Sequence, residues 1–499
     1  MIVVSKAGGK FKELATIGVA SGEEEVRRLS AEAEKWIQER MGQTEMALSS
    51  GMEDEAEETE RVLSKVEAVM LNGTQLLLGR IYDSIGFGAI PDSELKQLVV
   101  ARVSCPMSKR ATVDYLKSHY GEDYDLNAVY RYMDKLYNTQ MEVVRRISVG
   151  HTRRVLGGVI GLVFYDVTTL YFETGETDSL REPGYSKDGK NKESQVVLGL
   201  LVSERGYPLS YSLYNGRQYE GFTMIPMIDD FRHRYGIGDD IVIVADSGLM
   251  NKRNVRLLDE AGYRYIIGAR IKSESPMVRE WILSRHLKDS ETAECVRPDG
   301  NRLVLGYSSE RARKDAYNRE RGVERLRKAY SSGRLTKENV NKRGYNKFLD
   351  IGKDIAVSLN EAKIVEDAEW DGLKGYITNT GLPAADVIRQ YHGLWVVERA
   401  FRVTKGNIAA RPIFHFTEKR IEAHICVCFM AYKVYKELER VVMSMRLGIS
   451  VDSVIRIAKT ITTIRVSMRG NTAAYTKTLF LTEEHRSIKP LFECDLSQF

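Results

Sequence analysis

No apolar run in this 499-residue chain is long enough to cross a bilayer; the longest, VLGGVIGLVFY at 155–165, falls far short of the roughly 20 residues a membrane helix needs. The opening MIVVSKAGGK has no apolar core of the kind a signal peptide carries, so nothing marks the chain for export and no membrane partner is expected. Cysteine is scarce. Its five copies (Cys105, Cys295, Cys426, Cys428, Cys494) are odd in number and lack paired metal spacing, which argues against a disulfide framework and for the cytoplasm as the default location. Cys426 and Cys428 stand two apart in an apolar helix and read as core. Neither an internal repeat nor a low-complexity segment stands out.

Strong net charge is also lacking, since 74 Lys+Arg nearly balance 69 Asp+Glu. The distribution is uneven. Residues 1–60 carry 7 basic and 14 acidic side chains, whereas residues 302–347 carry 14 basic and 5 acidic ones. A single-sign patch of that kind suits a polyanion such as DNA, with a solvated helical surface as the plainer reading. With 43% hydrophobic and 29% charged residues, the chain is otherwise composed like a soluble globular protein of several packed units.

Five regions are expected. Residues 1–150 read as a helical N-terminal region that binds DNA ends, with helices at 23–42 and 53–71 and an N-cap at Asp125 or Asn127. Residues 151–272 read as α/β: GVIGLVFYDV as a strand buried on both faces, 195–216 as a hairpin, and 241–271 as a strand–helix–strand unit opening its helix near Asn251 and stopping it at Gly262. Residues 273–370 read as a basic inserted subdomain. Residues 371–435 return to the α/β unit begun at 151–272 and carry one long helix over 384–405, and residues 436–499 form a C-terminal helical region.

The chemistry rests on three carboxylates. Asp166 sits inside an apolar strand, where an unpaired charge costs several kcal/mol, so it needs a cation or local partners. Asp246 ends the first strand of the strand–helix–strand unit, where ligands of such folds bind. On one continuous helix, Tyr391, Glu398 and Lys405 fall on one line at seven-residue spacing, with Trp395 and Arg402 in the same stripe. Hard oxygen donors gathered from Asp166, Asp246 and Glu398 favour Mg²⁺, or Mn²⁺ in its place, and two such ions support in-line phosphoryl transfer. Lys405 and the arginines would then hold flanking phosphates. Glu173, Asp178, Asp188 and Glu220 are spare carboxylates near Asp166, and Lys187 and Lys190 are loop cations. His392, His415 and His424 lack zinc spacing.

At FYDVTTLYFE, GYSKDGKNKESQVVLGLLVSERGYPL, IVIVADSGLMNKRNV, DGLKGYITNT and YHGLWVVERAFRVTKGNIAARPIFHFTEKRIEAHICVCFMAYKVY the chain resembles the DDE transposases of prokaryotic insertion sequences. The last segment matches the Y-x2-R-x3-E-x6-K signature through Tyr391, Glu398 and Lys405, while Leu394 stands at its Arg position, leaving that contact to Arg399 or Arg402 or to nothing. The resemblance implies an RNase H-like core, a mixed sheet flanked by helices, with an inserted subdomain. Asp166, Asp246 and Glu398 would be its catalytic and metal-binding triad, with two ions per site. It further implies binding of terminal inverted repeats by a homodimer, hydrolytic strand cleavage and joining of 3′-hydroxyls to target DNA. Relatives grip a flipped base with an aromatic residue; Trp395 is open to that role or to packing beside Tyr391. An aspartyl-phosphate hydrolase would need a second Asp where Thr168 stands. A transposase-derived protein that binds DNA without cutting it is the remaining alternative.

Overall fold

The computed structural model describes the chain except residues 8–9, 174, 187–188, 237–240, 250–251, 335–339, 341–343, 352–356, 468–473 and 499. The expected positions Lys187, Asp188 and Asn251 lie outside the described residues. Contacts divide the chain into two units, Met1–Leu71 with Thr462–Leu479, and Asn72–Ile461 with Phe480–Phe499.

The smaller unit is not purely helical. Strands β1 (Ile2–Ala7) and β2 (Lys10–Thr16) pair antiparallel, and a single helix covers Glu23–Leu63 where two were expected. Residues expected to end a helix instead form β3 (Val66–Met70), which pairs with β15 (Thr462–Val466), itself paired with β16 (Tyr475–Leu479). The alternating exposure along VEAVM and the β-branched residues of TTIRV favour strand over helix. The first 150 residues and the last 64 are therefore each mixed rather than helical.

In the larger unit, nine strands form one mixed sheet. They are β4 (Leu162–Tyr171), β5 (Glu182–Pro183), β6 (Ser194–Ser203), β7 (Pro208–Asn215), β8 (Val242–Ala245), β9 (Arg264–Ala269), β10 (Thr292–Val296), β11 (Arg302–Tyr307) and β14 (Leu373–Thr378). β4, β6 and β7 form an antiparallel meander; β8 adds parallel to the other side of β4, and β9 parallel to β8. Three antiparallel strands followed by two parallel ones, with β4 in the middle, is the RNase H-like arrangement. The hairpin turns at Gly206, whose φ of 81° suits glycine. The helix Lys252–Glu260 between β8 and β9 ends ahead of Gly262, at φ 70°.

The basic region is less separate than expected. β10 and β11 pair with each other and, through β14, extend the central sheet, because RLVLGY presents two apolar faces that only a sheet interior buries. What remains apart is a small cluster of Val323, Leu326, Phe348 and Leu349 between the helix Ser309–Ser331 and the hairpin of β12 (Leu349–Ile351) and β13 (Val357–Leu359).

Strand alternation sorts the sheet's two faces. Val163, Tyr165, Ile243, Ala245, Tyr265 and Ile267 join one core with the helices Met224–Tyr235 and Lys252–Glu260. Phe164, Val244, Ile266 and Tyr376 join the other, with the helices Ala384–His392, Trp395–Lys405 and Glu418–Ser444. The last of these is buried nearly throughout; the amine of its Lys433 donates to Ser148 O at 2.9 Å. Helices Gly73–Ile85, Ser93–Ser104, Leu126–Lys135 and Met141–Val155 share that core, and Asp125 caps the third by accepting the Ala128 N–H at 2.9 Å.

Candidate active site

Sheet register brings the two aspartates together. β4 and β8 run parallel, at the usual strand spacing of about 4.8 Å, with Tyr165 opposite Ala245 as the last pair, so Asp166 and Asp246 are the residues that follow that pair on the two chains. Both follow residues of the far core. Alternation therefore turns Asp166, like Phe164, toward the face covered by the helix of Glu398. Asp166 is half-buried and accepts the Val167 N–H at 2.8 Å, while Asp246 is exposed just past the strand end. Thr168, two residues on from Asp166, is buried on the same face.

Asp246 is held in place. The Tyr391 hydroxyl donates to its Oδ1 at 2.9 Å, and the Ser247 hydroxyl lies 3.4 Å from the same oxygen. Burial and the Asp246 charge both push the Tyr391 phenol well above its ordinary pKa, so it remains a donor. Gly268, on β9, makes the contact possible, because a Cβ there would lie 2.4 Å from the Tyr391 hydroxyl oxygen. Lys374, on β14, faces the same side as Tyr376 and sets its ammonium 4.5 Å from the centre of the Tyr391 ring. Burial and the nearby Arg311 charge hold Lys374 below the usual lysine range, against the opposing pull of Asp246 and Glu398. Asp246 and Lys374 open onto one cleft. Asp246, Tyr391, Lys374 and Arg311 line it, with a volume of about 640 Å³.

The long helix expected over 384–405 is two helices, Ala384–His392 and Trp395–Lys405. Between them the backbone tightens to i→i+3 bonds, from Leu394 N–H to Tyr391 O and from Val396 N–H to Gly393 O. Gly393 permits this close approach to β4, since a Cβ would meet the Phe164 ring at 2.5 Å. The tightened turn breaks the seven-residue stripe: Tyr391 is buried at 3% exposure, while Glu398 and Arg402 are exposed and Trp395 is 57% exposed. Leu394 is buried in the core and brings no charge to the signature's Arg position.

The donor set consists of hard carboxylate oxygens, which suit divalent ions of the Mg²⁺ and Mn²⁺ type. Among the described residues no three Asp, Glu, His or Cys side chains are grouped closely enough to hold a metal ion. Like charges repel at such distances, by about 4 kcal/mol for two unit charges at 4 Å near a surface, and Asp166 and Asp246 bond to their own neighbours instead. Asp166 and Asp246 each follow the last paired residues of neighbouring strands, and Glu398 is exposed on the helix Trp395–Lys405.

The other expected residues divide. Tyr391 is turned inward onto Asp246 rather than outward toward DNA. Arg399 is paired with Glu439, which also engages Lys436, and so is committed to the helix Glu418–Ser444. Lys405 ends its helix half-buried. Asp178 bonds Arg181 at 2.8 Å, which gives that spare carboxylate a structural partner. His415 and His424 are buried, and Cys426 and Cys428 lie in the core as expected. In the basic segment, Arg319 forks onto Asp371, with one contact at 2.6 Å, and Lys347 pairs with Asp367 at 2.7 Å, so part of its charge is structural. Gly268, Arg311 and Lys374 were not singled out by sequence. Lys374 lies within the quoted DGLKGYITNT, but nothing in its spacing ties a strand lysine to a helix 17 residues later.

A central strand carrying one aspartate, a parallel neighbour ending in a second, and a glutamate helix across the same face define an RNase H-like catalytic core. Residues 158–433, more than half the chain, match the family model described as "Transposase DDE domain", and the chain belongs to that family. It is a DNA transposase, a DNA-cleaving and strand-transferring enzyme of a family that uses divalent metal ions. None of the curated proteins compared with the chain matches it. Among solved structures, a piggyBac transposase synaptic complex with hairpin DNA is similar at 11% identity and TM-score 0.39, covering 76% of this chain and 70% of that one. A Mos1 transposase paired-end complex is similar at 10% identity and TM-score 0.16, covering 35% of this chain and 58% of that one. No helix among the described residues is long and apolar enough to cross a membrane.

Proposed function

We propose that Asp166, Asp246 and Glu398 are the catalytic and metal-binding triad, holding two Mg²⁺ ions that Mn²⁺ can replace. The observation that carries this reading is the register of β4 and β8, which sets Asp166 beside Asp246 on the face covered by the helix of Glu398. Bound cations supply the charge that offsets carboxylate repulsion and polarise the phosphodiester. The chain's own residues do the rest. Tyr391 orients Asp246, and Gly393 seats the helix that presents Glu398 beside β4. Exposed Arg402 and Trp395 flank that glutamate on its helix and contact DNA, joined by Lys405.

The protein binds the terminal inverted repeats of an insertion sequence as a homodimer, cleaves the strands and joins the 3′-hydroxyl ends to target DNA. It works in a prokaryotic cytoplasm on the nucleoid. Family membership and the basic stretch around the helix Ser309–Ser331 support this reading. The test is a plasmid carrying both ends of the element, incubated with the purified protein. Excision and insertion products should form with Mg²⁺ and vanish when it is chelated. Tight binding of the ends without any cut product would instead favour the non-cleaving alternative.

A further inference from the structure

Two cations at the active cleft belong neither to the carboxylate triad nor to the helix of Glu398. Lys374 comes from β14, and Arg311 from the first turn of the helix Ser309–Ser331, whose cap Ser308 accepts the Arg311 N–H at 3.3 Å. Both line the 640 Å³ cleft with Asp246 and also an adjoining cavity of about 500 Å³ with Tyr376, Ile388 and His392. They therefore form the wall that the two cavities share. The ion pair of Arg311 with Asp315 is long, at 3.6 Å. Lys374 lies over the faces of Tyr391, at 4.5 Å, and Tyr376, at 5.7 Å.

Two like charges on one cleft wall, half-buried Lys374 and exposed Arg311, repel, and the pull of Asp246 and Glu398 on Lys374 does not offset burial plus the Arg311 charge. An anion lying between them would relieve that repulsion. DNA, the substrate of this family, carries one at every nucleotide. The second cavity adds what a nucleoside needs next to its phosphate: the Ile388 side chain and the rings of Tyr376 and His392, whose edges meet with the Tyr376 hydroxyl 3.4 Å from His392 Nε2.

We infer that Lys374 and Arg311 form a phosphate clamp for the nucleotide next to the cleaved bond, directing its sugar and base into the cavity of Tyr376, Ile388 and His392. The clamp rests on the triad reading, because it places that phosphate beside Asp246. It positions DNA and takes no part in breaking the bond.

The test uses the full chain and a fluorescent duplex of the terminal repeat flanking its gene, titrated across a range of salt. Lys374→Gln and Arg311→Gln should each weaken binding about tenfold and flatten the log–log salt slope by about 0.9, the loss of one phosphate contact. Lys374→Arg should restore the parent slope. A single methylphosphonate next to the cleaved bond should weaken the parent more than either Gln variant, and leave a variant carrying both Lys374→Gln and Arg311→Gln unaffected. Arg311 is exposed, so its variant reports even if Lys374→Gln folds poorly. Parent slopes in both Gln variants, while the parent still cuts the repeat, would overturn the clamp alone. A parent that binds the repeat but never cuts it would instead overturn the reading beneath it.

Discussion

Replacing Gly268 by alanine tests how Asp246 is held. The new Cβ would lie 2.4 Å from the Tyr391 hydroxyl oxygen and 3.1 Å from both its Cζ and Ser247 N. Relief requires the hydroxyl to retreat by about 1 Å, which lengthens its 2.9 Å bond to Asp246 beyond hydrogen-bonding range. Crowding of this kind costs about 1–3 kcal/mol, and a lost hydrogen bond to a charged group about 1.5–3 kcal/mol. Because Asp246 is exposed and water replaces part of the bond, the sum for Gly268→Ala is about 3 kcal/mol. Tyr391→Phe removes the clashing oxygen and the bond together. The two changes should therefore couple. In urea denaturation, the double variant should be more stable than the sum of the single penalties by about 1–2 kcal/mol, a non-additivity expected of touching residues. Strictly additive penalties would refute the claim that Gly268 exists to admit the Tyr391 hydroxyl.

Glu437 is a buried carboxylate whose desolvation is outweighed by hydrogen bonds from His151 and Arg440, which bring its pKa down to about 2. Its contribution is present above the ordinary glutamate value and is lost as pH falls toward 2, so acid denaturation should remove about 3 kcal/mol over that window, and Glu437→Gln should flatten the loss. Asp125→Ala should cost about 1 kcal/mol in thermal unfolding, since it deletes the cap bonded to the Ala128 N–H, whereas Asn127→Ala should cost little. Arg319→Ala should lower stability through its fork onto Asp371, while exposed Arg313→Ala should leave stability unchanged and reduce the salt dependence of DNA binding.

Most of the central sheet was legible because its strands are coded locally. LVFYDV must be buried on both faces, and the hairpin and the strand–helix–strand unit carry their glycine stops at Gly206 and Gly262. Asp166 and Asp246 could be named for the same reason, since each follows an apolar run. Pairing is not local, so the sequence did not reveal that β10 and β11 extend the sheet rather than build a separate subdomain. Nor does helical periodicity register the turn at Gly393, which packs against the Phe164 ring more than 200 residues earlier in the chain. That turn put Tyr391 inside while Glu398 stayed outside. Lys374 and Arg311 were invisible for a related reason: each belongs to the cleft only through tertiary packing.

We propose that Asp166, Asp246 and Glu398 act as one metal-dependent centre. The most direct measurement is the rate of Mg²⁺-dependent nicking at a terminal repeat by the parent and by Asp166→Ala, Asp246→Ala and Glu398→Ala, with binding of the same duplex followed in parallel. Each substitution should abolish nicking while binding survives. Parent-level nicking by any one of the three would contradict it.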